Sequence, residues 1–245
     1  KITPKYEWVP EHVSYGTDEV ETNEILVLHQ DIAVITVTRG CAYRCAFCQI
    51  GAEDYRETPI DVLQKQLESA VEHGVKQLII NSATLLRYSN AKTLLNTLVE
   101  LTHKHPGLNV VIGSLRADEL TFSILIQLTQ IHQLSNTLLY YTEAKQELLL
   151  TLAPEVGSDT LRFHLEKYIP NETFMDVIHN AQLVGISGFV LYFIVGFDFH
   201  NRVDDIISFV QEALNMTEDN QITIIIRLTP FIPSVRTPMQ RLGIL

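Results

Sequence analysis

Cysteine is scarce in this 245-residue chain and confined to one place: the only three, Cys41, Cys45 and Cys48, fall within CAYRCAFC. No cysteine is left over for pairing, and clustered thiols without spare partners point to a reducing, cytoplasmic compartment. Long apolar runs are missing as well. The longest, Phe189 to Phe197, is far too short to span a bilayer. Positive charge is in deficit, with 18 Lys and Arg against 29 Asp and Glu and a net charge of −11. An acidic domain gains nothing from counterion release, so nucleic acid is a poor partner for this part of the protein unaided. There is no low-complexity tract.

What is present suits one large globular domain: 46% of the residues are hydrophobic and 19% charged. The opening KITPKYEW has neither an initiator Met nor the apolar run of a signal peptide, and the chain stops at QRLGIL, so a domain of a longer protein is expected. Residues 1–31, with Pro4, Pro10 and Gly16, read as an extended leader, and residues 32–245 as the domain.

Six short apolar runs recur at Ile32–Thr38, Gln77–Asn81, Asn109–Ser114, Leu148–Ala153, Phe189–Gly196 and Ile222–Thr229. Each gap is long enough for a returning helix. Helical spacing appears in Val62, Leu63, Leu67, Ala70 and Val71, and again in Ile206, Ile207, Phe209, Val210 and Ala213. Strands alternating with helices predict an α/β fold with a parallel sheet and right-handed crossovers. Six units predict a partial (β/α)6 TIM-like barrel with an N-terminal extension. A Rossmann-type sheet is the rival, but the first strand leads into a cysteine loop of some twenty residues instead of a tight glycine turn. The run LLYY within residues 132–147 fits a strand or a helix end equally.

The cysteines are spaced C-x3-C-x2-C. Three thiolates on a cubane iron–sulfur cluster leave one iron without a protein ligand, open to a substrate or cofactor. Zinc with a histidine as fourth ligand is the alternative, which nine histidines permit, but no second ligand pair with the usual spacing follows.

CAYRCAFC, including the aromatic Phe47 before the third cysteine, resembles the cluster motif of the radical S-adenosylmethionine (SAM) enzymes. The resemblance implies a [4Fe–4S] cluster on Cys41, Cys45 and Cys48, with SAM's amino and carboxylate groups on the open iron. It also implies reductive cleavage of SAM to a 5′-deoxyadenosyl radical that abstracts hydrogen from substrate, and an electron donor such as a flavodoxin or ferredoxin. GSLRAD, LAPEVGSDTLR, GFVLYFIVGF and TPFIPSVRTPMQ extend the likeness over residues 34–240 and resemble the cobalamin-associated subgroup. That subgroup implies cobalamin in a separate domain and a small-molecule substrate such as a nucleoside or nucleotide, undergoing methyl transfer or ring contraction. A methylthiotransferase-type, RNA-modifying enzyme is the alternative within the superfamily. A non-catalytic metal-binding assembly module is the alternative outside it.

In parallel β/α folds the loops at the C-terminal strand ends build the active site. Glu155 stands at such an end and is expected to bond a ribose hydroxyl or SAM's ammonium, with Arg162 holding the carboxylate bidentately. The competing reading is a helix start, with Ser158 as cap and Arg162 paired to Asp159 or Glu166. Ser158 is included among the cofactor-binding candidates. Arg116 is expected to meet substrate or a carboxylate, or to pair with Asp118. The resemblance places Asn81 and Ser82 where the family holds SAM's amino group, although its glycine-glycine-acid signature is absent. It also places the backbone at Phe47 near adenine. Tyr192 reads as barrel filling or as an adenine contact. GFDFHNRVDD departs from the family's usual turn after the fifth strand.

Overall fold

The computed structural model describes residues 26–29 (backbone only), 31–113, 115–135, 149–186, 188–197, 203–217 and 222–241. All six expected strands form: β2 (Ile32–Thr36), β5 (Gln77–Asn81), β6 (Asn109–Ile112), β7 (Leu149–Glu155), β8 (Gly188–Val195) and β9 (Thr223–Pro230). β2, β5 and β6 pair in parallel, as do β7, β8 and β9. Among the described residues no ladder joins β6 to β7. Of three further short strands, β1 (Leu26–His29) pairs antiparallel with β2, so the last residues of the expected leader belong to the sheet. The rest of that leader, and the LLYY run, lie outside the described residues.

Helices α1 (Ile60–Glu72), α2 (Ala91–Lys104), α3 (Phe122–Ser135), α5 (Asn171–Leu183) and α6 (Val203–Asn215) pack on one face of the strands, and the short α4 (Asp159–His164) follows β7. Their apolar spacing dictates this. Leu63, Leu67 and Ala70 of α1 and Ile206, Phe209 and Ala213 of α6 are buried. Alternate strand residues meet them: Ala33 and Ile35, Leu78 and Ile80, Leu150 and Leu152, and Phe189, Leu191 and Phe193 share a single core with the helices. Phe209 packs edge-on against both Phe174 and Phe193, with ring centroids 5.7 and 5.6 Å apart. One continuous core therefore unites both strand sets. By the period of two, Thr36, Asn81, Thr151, Tyr192 and Arg227 fall on the opposite, barrel-interior face, while a bulge between Leu152 and Glu155 breaks the alternation at the end of β7. Tyr192 and Arg227 are register partners on that interior face. Among the described residues no helix is long and apolar enough to cross a membrane.

Candidate active site around the cysteine loop

The cysteine loop is closed at its base by a two-residue ladder, β3 (Thr38–Arg39) against β4 (Arg56–Glu57). Gly40 enters it at φ 67°, and a Cβ there would lie 2.5 Å from the Asp54 carbonyl oxygen. Only glycine meets both demands. Inside the loop, Cys48 N–H donates to the Cys45 carbonyl at 3.0 Å, and residues Gln49–Ala52 form a 3-10 turn. The loop is tied down from two sides. Ala46 N–H donates to the Leu165 carbonyl at 2.9 Å, and Met239 N–H donates to the Ala46 carbonyl at 3.3 Å. Ala46 also packs with Val156, Leu165, Phe197, Phe231 and Met239 in a small second core, against which Phe47 rests. A loop between β2 and α1 is thus fixed by segments far away in sequence.

All three thiols are free and half-buried. Burial pushes the Cys41 and Cys45 thiols up. Two cations oppose that at Cys45, Lys167 and Arg116, and Arg116 also favours the Cys41 thiolate. Tyr43 N–H lies 3.4 Å from Cys41 Sγ, a contact of the kind that tunes iron–sulfur centres. Among the described residues no three His, Cys, Asp or Glu side chains converge to hold a single metal ion. Three soft thiols with nearby cations and a backbone donor fit a polynuclear iron–sulfur cluster with one iron left open.

The other expected site residues divide. Glu155 stands at the end of β7 with φ 66°, a backbone conformation that side-chain-bearing residues avoid. Its carboxylate pairs with Lys167 Nζ at 2.8 Å, and Lys167 also donates to the Ala153 carbonyl at 2.6 Å. Both influence Cys45, so Glu155 and Lys167 reach the cluster loop electrostatically. Lys167 was not expected. Nothing in HLEKYIP distinguishes it from a surface lysine, and only the turn after α4 buries it.

Arg162 corrects its expected role as a cofactor ligand. Its side chain is 0% exposed, and it donates to the carbonyls of Pro154, Val156 and Ile169 and to Asp159 Oδ1, at 2.6 to 2.9 Å. A guanidinium so engaged staples the turn between β7 and α5 and has no reach to a ligand. Ser158 is likewise a cap: its Oγ accepts from Leu161 N–H at 3.2 Å, as the helix-start reading requires. Gly157, immediately before Ser158, packs against the start of α6, where a Cβ would collide with the Asp205 carbonyl.

Ser82 is buried, with its hydroxyl 2.7 Å from that of Thr38 and accepting from Thr84 N–H. This locks the β5 end onto the strand before the cysteines and leaves the side chain no free role. Asn81 is exposed at the tip of β5, and its carbonyl accepts from Val37 N–H at 2.9 Å. Tyr192 is half-buried on the interior face, with the Arg227 guanidinium 5.9 Å from its ring. Arg116 takes the second of its expected alternatives, the pair with Asp118. It forms a bidentate pair with Asp118, at 3.0 Å for each bond, and lies flat over Tyr43, 3.5 Å from the ring centroid.

A partial α/β barrel of six parallel strands with three thiols on the loop after the first of them defines a class: a β/α-barrel domain whose candidate site is a cysteine loop at the C-terminal strand ends. A sequence profile described as the Radical SAM superfamily matches residues 35–212. The chain belongs to that superfamily, and it is a radical SAM enzyme domain. An uncharacterised protein of Methanocaldococcus jannaschii is 28% identical over 217 residues, covering 84% of this chain and 42% of its own length. The ribosomal protein uS12 methylthiotransferase RimO of Pelobacter propionicus is 27% identical over 174 residues, covering 61% of this chain and 38% of that protein. Among solved structures, the radical SAM methyltransferase TsrM of Kitasatospora setae, which carries cobalamin and a [4Fe–4S] cluster, superposes with a TM-score of 0.62 at 15% identity. That match covers 84% of this chain and 38% of TsrM, and shows a shared fold. The chain spans less than half the length of each of these relatives.

Proposed function

We propose that this domain holds a [4Fe–4S] cluster on Cys41, Cys45 and Cys48, binds SAM beside Glu155, and acts on a small metabolite of nucleoside or nucleotide type, in a protein that also binds cobalamin. One observation carries the reading: the loop that bears all three thiols is bonded through Ala46 N–H to the Leu165 carbonyl at 2.9 Å, beside the turn after α4 whose Lys167 pairs with Glu155 at the end of β7. Cluster and SAM together supply reductive cleavage of the sulfonium bond and a hydrogen-abstracting radical. The protein's own residues bind and orient. Glu155 stands at the end of β7 and is already held by Lys167 at 2.8 Å. SAM's amino-acid moiety is zwitterionic, and a carboxylate–ammonium pair is its electrostatic complement. Phe47, resting on the small core around Ala46, supplies an apolar surface beside the cysteines for the adenine of SAM.

The cobalamin part rests on the likeness of GSLRAD, LAPEVGS and TPFIPSVRTP to the cobalamin-associated subgroup. The match to RimO supports a second reading, a methylthiotransferase-type enzyme. Reduced anaerobically with SAM, the domain should form 5′-deoxyadenosine, slowly and without substrate coupling. A charge-assisted bond from Glu155 is worth roughly 1.5–3 kcal/mol, so Glu155→Gln should weaken SAM binding by about 10- to 150-fold in calorimetry. Unchanged affinity would remove Glu155 from the site. A longer protein that copurifies with about one corrin per chain supports the cobalamin reading, and full turnover in cobalamin-free preparations would end it.

A further inference from the structure

Tyr43 lies between two of the cluster ligands and is gripped on two sides by one turn. The turn after β6 carries Arg116, Asp118 and Glu119. Arg116 covers the face of the Tyr43 ring at 3.5 Å, well within cation–π range. Asp118 fixes that guanidinium by two 3.0 Å bonds, so its plane is set before it meets the ring. At the other end of the ring, Tyr43 O–H donates to Glu119 Oε1 at 2.6 Å. The second oxygen of Glu119 is buried and has no hydrogen-bond partner among the described residues, so the carboxylate sits where it does at some cost. The backbone of Tyr43 is fixed as well, since a Cβ on Gly51 would lie 2.6 Å from its carbonyl oxygen. Its N–H in turn points at Cys41 Sγ.

We infer that the Arg116–Tyr43–Glu119 clamp is a positioning device for the cluster: it pins the cysteine loop to the β6 turn and holds a backbone N–H on a ligand sulfur. The inference rests on the cluster reading above. Arg116 is assigned no contact with the cluster or SAM and acts through Tyr43. Partners of ligands in metal sites act in this manner, orienting the ligand and tuning the centre.

The test uses the whole chain, reconstituted anaerobically, and reads loss of visible cluster absorbance to a chelator together with the midpoint potential, without SAM. Arg116→Met should release its cluster on the order of 10- to 100-fold faster than wild type and shift the potential downward. Tyr43→Leu, which keeps the Arg116–Asp118 pair and removes the platform, should do the same. Tyr43→Phe keeps the stack and loses only the bond to Glu119, so its release rate should fall between those of wild type and Tyr43→Leu while the potential stays near wild type. A merely structural role for the turn would lower melting temperature and leave release rate and potential where they were. Wild-type release rates and potential in both Arg116→Met and Tyr43→Leu overturn the clamp while leaving the cluster assignment intact. A wild-type chain that takes up no cluster overturns the reading beneath it as well.

Discussion

At the scale of single residues, chemistry-bearing side chains separate into those that face the site and those that build it. Cys41, Cys45 and Cys48 were legible because three thiols at such close spacing suit little chemistry besides metal or cluster binding. Arg162 was not, because an arginine one turn into a helix looks the same whether it holds a ligand or the chain's own carbonyls. Only the tertiary turn decides, by closing Pro154, Val156 and Ile169 around it. Arg162→Ala leaves those acceptors without donors, at about 1–3 kcal/mol for each buried one. The melting temperature should fall steeply, while SAM affinity of the protein that remains folded stays unchanged. A selective loss of SAM binding would restore Arg162 to the cofactor site. Tyr43 offers a pH test. Burial, and then the neighbouring Glu119, push its phenol up to about 12. The fold therefore favours the neutral phenol, and its contribution to stability is fully present below the ordinary value of about 10 and is lost as pH rises towards about 12. Urea denaturation at about pH 9 and about pH 11 should show that loss in wild type and its reduction in Tyr43→Phe.

At the scale of elements, periodicity located all six parallel strands and the buried face of α1 and α6, because burial on one side leaves a signature in the sequence. It failed where burial depends on a neighbour. Ile207 shares the apolar spacing of α6 yet is 48% exposed, and Val203 and Leu214 are exposed beside it. On β9, Ile226 and Leu228 continue the helix-facing row of Leu191 and Phe193 but are 45% and 59% exposed. No described helix follows β9 to cover them. An apolar edge strand is a template for association, so this chain alone should self-associate with concentration in sedimentation experiments. Leu228→Lys should reduce the association without lowering the melting temperature by more than a degree or so, since the side chain is exposed. Monomeric behaviour of the unsubstituted chain at high concentration would contradict this.

At the scale of the whole molecule, the sequence disclosed the architecture and the cluster loop but not what ties them together. Ala46 to Leu165, Met239 to Ala46, and Arg116 over Tyr43 join segments distant in sequence, and no local pattern announces such pairs. Against the net charge of −11, Lys167 and Arg116 supply local positive charge at Cys45, opposed there by Glu155. That local field is what three thiolates on one loop require.

The most direct measurement is iron and sulfide content after anaerobic reconstitution, read beside the electron paramagnetic resonance of the reduced chain with and without SAM. The cluster assignment predicts about four iron and four sulfide per chain, a reduced-cluster signal that changes when SAM is added, and loss of both in Cys45→Ala. One zinc per chain without sulfide, or a full cluster in Cys45→Ala, would contradict it.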